Sequence, residues 1–459
     1  MLSSRLRPGG FGERLRRHVS EMLRLAPAIV LTRSGMILII LVDTIMVGHY
    51  NGLHLGYLSI GMSLVQPLVV TSLGLIMGTL VLSAHHFGAG RYEECGRVWR
   101  RSIAYASSLG AVAAAVCLFG ETLLTWAGQS EELAREGGKV MTVLGLGVPG
   151  HLVFLASSFF LEGIRRPVPG LVVMIIANVI NLALNGLFIS GDFAQFGIPE
   201  GAVGVAVATT ISRWFLAVGL IGYVLVMRGQ ETFGVRNRAE GGWQAWRHQR
   251  RLGYATGASL ASESGAFTTV QQFAGWLGAL PLAAFTVAFY LLVTSFMIAI
   301  GLGAATAVRV GNAHGREDAP DMVLAGWTGL GLTFVVTVVL GSAMYAFDLT
   351  LVRLITDDAA VAAIAVQLVF WVALVLVADG MQAVMANALR GRQDVWMPCL
   401  MQTFVFFGIM VPVTWYLMFP LGHGAAGMFQ GVGIATVVAT VMLSTRFYRL
   451  YKADVAAGR

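Results

Sequence analysis

Three carboxylates stand well inside runs of apolar residues: Asp43, Glu263 and Asp379. A charged side chain at the centre of a bilayer-crossing helix costs about 2.5–3.5 kcal/mol on insertion scales, so it normally faces a cavity or a partner. Carboxylates in that position suit cation binding, proton exchange or pairing with positively charged cargo. Glu121 and Glu162 lie nearer the ends of their runs, where a solvated carboxylate is expected. Asn178, Asn181 and Asn185 follow one another at i, i+3 and i+7. At 100° per residue they fall within an arc of about 60° and form one polar stripe. Amide oxygens can coordinate a cation, and the same stripe also suits hydrogen bonding between helices. Thr256, Ser259 and Glu263 share another face. So do Asp379 and Gln382, with Asn387 near the edge. Arg33 and Arg213 also stand in apolar runs and are expected to snorkel or to pair across helices. Arg33 and Asp43 are ten residues apart, about 15 Å along a helix, too far to pair directly.

The elements that must hold these residues are legible from composition. Of 459 residues, 56% are hydrophobic and 12% charged, against about 25% charged in a soluble domain. Mean hydropathy is +0.74. So few charges cannot cover a water-soluble protein of this size. A soluble enzyme, a disordered tail and a DNA-binding module are excluded, and an all-α integral membrane protein is predicted. Twelve stretches are long enough to cross a bilayer: about 25–48, 57–84, 102–126, 140–162, 169–190, 202–227, 253–277, 282–308, 322–346, 359–388, 396–419 and 426–445. These continuous runs are unlike the alternating segments of about ten residues in a closed β-barrel.

The net charge of +7 does not signal nucleic acid. With the N-terminus placed inside, 26 Lys and Arg fall on the inner side and three, Arg135, Lys139 and Arg353, on the outer. That asymmetry is the positive-inside pattern, and it puts both termini in the cytoplasm. The predicted organisation is a cytoplasmic segment 1–24, a six-helix bundle 25–227, a cytoplasmic linker 228–252, a second six-helix bundle 253–446 and a cytoplasmic tail 447–459. The linker carries Trp243, Trp246 and a basic cluster, as a segment lying on a membrane surface would. Cys95, Cys117 and Cys399 have no CxxC spacing and suggest neither a disulfide scaffold nor a zinc site. Residues 1–24 are basic and polar, without the apolar core of a removable signal peptide.

The two halves echo each other. LGYLSI at 55–60 answers LAAFTV at 282–287, GAGR ending at Arg91 answers AHGR ending at Arg316, and the segment around Gly163 answers that around Gly391. Three matches in order at offsets of 225–228 residues indicate an internal repeat. Six spans per half make the repeats parallel, as in carriers whose substrate path runs between pseudo-symmetric bundles.

Several motifs carry a resemblance. VDTIMVGHYN at 42–51, GAGR after the second span, NLALNGLFISG at 181–191, GAVGVAVATTISRW at 201–214, SLASESGAF at 259–267 and ADGMQAVMANALRGRQDVWMP at 378–398 resemble, in order and over nearly the whole chain, the multidrug and toxic compound extrusion (MATE) family. The resemblance implies two six-helix bundles around a central cleft, alternating access, and efflux of cationic drug-like molecules across a bacterial inner membrane by antiport with Na+ or H+. It implies no cofactor and no nucleic-acid partner; lipid, drug and coupling ion are the partners. By resemblance, Asp43 with Asn181, Asn185 and Thr209 forms a coupling site in the first bundle, and any Na+ would bind at such residues. Glu263 and Asp379 resemble acids of the NorM-like branch linked to cation coupling or drug binding. Asn178 and Gln382 extend the polar stripes. The sequence departs from the family pattern at Tyr254–Ala255, where a Gly-x-Pro turn is common, and at Gln393, where Gly is usual. A flippase of lipid-linked oligosaccharides, which shares the broad architecture, is the alternative; it favours a basic cleft, whereas three deep acids favour cationic cargo. No HExxH or GxSxG motif points to an enzyme.

Overall fold

The computed structural model describes residues 10–191, 200–237 and 242–456. Arg5, Arg7, Arg238 and Arg459, counted above on the inner side, lie outside the described residues, as do parts of the predicted linker and tail. Described residues form helices throughout, with no strand among them. In chain order these are α1 (Phe11–Tyr50), α2 (Gly52–Ile76), α3 (Gly78–Gly88), α4 (Tyr92–Cys117), α5 (Gly120–Trp126), α6 (Glu131–Gly163), α7 (Val168–Phe188), α8 (Gly201–Val226) and the single turn α9 (Gln230–Phe233). They continue with α10 (Arg247–Trp276), α11 (Ala279–Gly315), α12 (Ala319–Ala346), α13 (Asp348–Arg353), α14 (Ala359–Gly391), α15 (Trp396–Thr403), α16 (Val411–Met418) and α17 (Gly424–Ala456). Local signals set several starts. Asn51 accepts from the Leu53 amide at the head of α2, and Asp358 accepts from the Ala360 amide at the head of α14, both at 2.8 Å. Such caps satisfy amides that a helix end leaves without partners.

Among the described residues ten helices are long and apolar enough to cross a membrane, or eleven if α4 and α5, bent by 61° at their junction, form one span. Twelve were predicted. The difference is α10: its 30 residues are long enough, but Glu263, Gln271, Gln272 and a series of Ser and Thr make it too polar to count by composition. Helix α1, at 40 residues, is about 60 Å long and runs well beyond the span expected at 25–48. Between α15 and α16 the chain takes a π-helical turn over Phe404–Met410. Pro412 stands two residues beyond it, in the first turn of α16; proline has no N–H to give the preceding turn and its ring pushes that turn open.

The chain divides into two compact units. One contains residues 31–86 and 90–261; the other contains 10–30, 87–89 and 262–456. Helix α1 thus contributes its first twenty residues to the second unit, and α10 contributes residues 247–261 to the first. In the first unit α6 is the central helix, packing against α2, α4, α5 and α8. Small residues allow that packing: a Cβ on Gly110 of α4 would come within 2.4 Å of the Pro149 Cα of α6. In the second unit α14 is central, against α11, α12 and α17. A Cβ on Gly391 would come within 2.5 Å of the Ala307 carbonyl. With lipid outside, close approach of this kind supplies the van der Waals contact that holds helices together.

Candidate functional site

In the first unit, Asp43 of α1 is completely buried. Its Oδ1 accepts from Asn185 Nδ2 at 2.7 Å and from Asn181 Nδ2 at 3.2 Å, and its Oδ2 accepts from the Thr209 hydroxyl at 2.5 Å. Asn181 Nδ2 also reaches Thr209 Oγ1 at 3.2 Å, and Asn185 Nδ2 reaches Asn181 Oδ1 at 3.3 Å. The structure thus brings together all four residues that the resemblance grouped. Every direct partner of the carboxylate is neutral. Arg213 is the charged side chain that acts on it electrostatically, while Arg213 Nη1 donates to the Leu144 carbonyl at 3.2 Å. One atom of the cluster stands out. Asn185 Oδ1 is buried and accepts no hydrogen bond, and a buried polar atom normally has a partner.

Asn178, on the same stripe, is not in this cluster. Its Nδ2 donates to the backbone carbonyls of Gly35 at 3.2 Å and Met174 at 2.9 Å. The helices α1 and α7 are close there: a Cβ on Gly35 would meet the Met174 Cγ at 2.5 Å. The amide is thereby spent on tying α7 to α1.

Glu162 departs from its expectation. It is 2% exposed, and Arg33, likewise buried, donates to its Oε1 at 2.9 Å and Oε2 at 3.2 Å. Ser158 donates to Oε1 at 2.8 Å, and the Arg33 guanidinium lies 4.8 Å from the Phe159 ring centre. Proximity to a span end therefore did not mean solvation. The sequence showed two opposite charges in apolar runs but not that they meet, because 129 positions separate them.

In the second unit Asp379 and Gln382 of α14 are buried, and Gln382 Nε2 donates to Asp379 Oδ1 at 3.1 Å. Gln402 of α15 donates in turn to Gln382 Oε1 at 2.9 Å, and Arg390 donates to Gln402 Oε1 at 3.5 Å. Glu263 of α10 is part-exposed and interacts electrostatically with both Asp379 and Arg390. Gln402 and Arg390 were not singled out from sequence. Gln402, a lone amide in the apolar run LMQTFVFF, was the available signal. No group of three or more His, Cys, Asp or Glu side chains converges as a metal site among the described residues. A monovalent cation in the first unit would instead find one carboxylate with amide and hydroxyl oxygens.

The comparisons with known proteins agree with this architecture. The MatE family model matches residues 28–187 and again 256–416, so the two matches start 228 residues apart, the spacing of the internal echoes in the sequence. The chain is 35% identical over 432 residues to a Caulobacter vibrioides protein described as probable multidrug resistance protein NorM, covering 94% of this chain and 91% of that protein. A Pseudomonas putida protein with the same description is 28% identical over 94% of each chain. Among solved structures, the outward-facing conformation of a multidrug resistance MATE family transporter of the MOP superfamily superposes with a TM-score of 0.88 at 18% identity, covering 97% of this chain and 98% of that one. The eukaryotic MATE transporter AtDTX14 superposes at 0.85, also at 18% identity, over 96% and 99%. On the twice-matching family model and the relative at 35% identity, the chain belongs to the MatE family of membrane transporters.

Proposed function

We propose that this protein is a secondary active efflux carrier that exports cationic, amphipathic organic compounds in exchange for Na+ or H+ across a bacterial inner membrane, with both termini cytoplasmic. The observation that carries this reading is the Asp43 cluster. A buried carboxylate surrounded by neutral donors, beside an amide oxygen with no partner, is a site that a small cation or a proton completes. The multidrug resistance names of the relatives support the cargo class. The commitments of the buried arginines support it too: Arg33 is held by Glu162 and Arg213 donates to a carbonyl. A flippase cleft would need such cations free for pyrophosphate.

In this mechanism, ion or proton binding and cargo binding exclude each other. Neutralising Asp43, Glu263 or Asp379 removes the charge that a cationic cargo needs as a partner. The cargo leaves, and reciprocal competition couples the two fluxes. The test is efflux of a fluorescent organic cation from membrane vesicles under an imposed Na+ gradient with no pH gradient, and the converse. Gradient-driven efflux is expected from the native protein and is lost in Asp43→Asn and in Asp379→Asn at equal expression. Native rates in both variants sink the reading. Loss in Asp379→Asn alone moves coupling to the second unit.

A further inference from the structure

We propose that Arg390 and Gln402 are positioning residues that set, through Gln382, which hydrogen-bonding group faces Asp379. The inference rests on Asp379 being a working carboxylate of the carrier. An amide side chain can turn either its N–H or its carbonyl toward a neighbour, and neither orientation is intrinsically preferred. Arginine removes the choice, since its guanidinium only donates. Arg390 Nη2 faces one end of the Gln402 amide at 3.5 Å, so that end is the oxygen. The Gln402 N–H therefore points to Gln382 at 2.9 Å and claims the Gln382 oxygen. Gln382 is left with its N–H toward Asp379 at 3.1 Å. All four side chains are at most 6% exposed, so bulk water does not substitute for a missing link.

The polarity has a consequence for exchange at Asp379. An N–H is matched by a carboxylate. A carbonyl in its place is matched only by a protonated acid. Arg390 thus reaches a carboxylate eleven positions earlier on α14 without touching it, by way of α15. The same guanidinium acts electrostatically on Glu263, so one cation reaches both Glu263 and Asp379.

Gln402→Glu tests this with almost no change in shape. A glutamate at 402 accepts from Arg390 and from Gln382 together, which turns Gln382 round and presents its carbonyl to Asp379. The readout is the infrared band of the protonated Asp379 carboxyl in the purified full chain, assigned by its loss in Asp379→Asn and titrated with pH. In Gln402→Glu the titration is expected to move to higher pH by about one unit, the size of a charge-assisted hydrogen bond. The half-maximal pH of vesicle efflux moves with it. A new negative charge would act in the same direction through space, so the shift is repeated in a Gln382→Leu background. There Gln402→Glu is expected to add only the through-space part, well under the shift seen with Gln382 present. An equal shift in that background, or a single variant that titrates as the native protein does, overturns the relay. If Gln402→Glu does not reach the membrane, Gln382→Leu alone carries the test: it removes the donor and is expected to move the band upward, and an unmoved band overturns the proposal. A band that behaves as expected while Asp379→Asn still transports would refute the carrier role of Asp379 and leave the relay intact.

Discussion

At the scale of single residues, the molecule spends its rare intramembrane charges in two ways. Asp43 is held by neutral donors alone, whereas Glu162 is paired with Arg33. Removing one member of a buried pair strands the other, at a cost of about 3–5 kcal/mol, while replacing both with apolar groups is often neutral or stabilising. Arg33→Met is therefore expected to destabilise the protein strongly, and Arg33→Met with Glu162→Leu to recover most of the loss. Thermal unfolding of the detergent-purified variants measures this. A double variant as unstable as Arg33→Met alone would show that the arginine acts elsewhere. The contrast was half legible in the sequence. Asn181 and Asn185 could be read as one face because helical spacing is enough for that. The fate of Asn178 could not, since it depends on how closely Gly35 of another helix approaches. The Arg33–Glu162 pair was hidden for the same reason, as was the orientation of the Gln382–Gln402 chain. Periodicity reports which side of a helix a residue occupies and nothing of what stands opposite.

At the scale of elements, the apolar runs located the spans but not their extensions. The inner end of α1 was read as topogenic charge and little more. In the structure His18 is wholly buried and donates from Nε2 to Asp321 Oδ1 at 2.9 Å, while Arg309 of α11 donates to its Nδ1 at 3.1 Å from Nη2. Arg17 and Arg316 also bind Asp321, and Arg309 pairs with Glu21. The additional turns of α1, about four, are thus docked onto the C-terminal end of α11 and the N-terminal end of α12 by a charge network, within one compact unit. Asp321 accepts from the Arg17 and Arg316 guanidiniums and from the neutral His18 imidazole and is itself inaccessible, so its loss leaves the two guanidiniums facing one another. Asp321→Asn is expected to lower stability by about 3 kcal/mol and to expose residues 11–24 to proteolysis in inside-out vesicles. Unchanged cleavage kinetics would mean that apolar contacts such as those of the buried Met22 and Leu25 suffice to hold the helix. Helix α10 shows the opposite limit of legibility. It was counted as a span because 253–277 is long enough to cross a bilayer, although its polar face lowers its hydropathy below that of the other spans. The same polar face carries Glu263, so the property that weakens the signal is tied to the site.

At the scale of the whole molecule, the arginine distribution makes a claim about orientation that hydrogen bonds within each unit do not address. Twenty-six of 31 basic residues fall on one side when the spans alternate from an inside N-terminus, and translocation of such loops is disfavoured. The claim requires α10 to cross the membrane, because an omitted crossing would put Arg316, Arg390, Arg392 and the C-terminal basic cluster outside. Two positions separate the possibilities. Glu317, between α11 and α12, belongs inside with twelve crossings, and Asp357, between α13 and α14, belongs outside. The native thiols Cys95, Cys117 and Cys399 are all buried, so single introduced cysteines can be read against a quiet background. Asp357→Cys is expected to react with a membrane-impermeant maleimide on intact cells, and Glu317→Cys only after permeabilisation. The reverse pattern would remove α10 from the membrane or invert the chain. Either result would place Arg316 and Arg390 on the outer face of the bilayer.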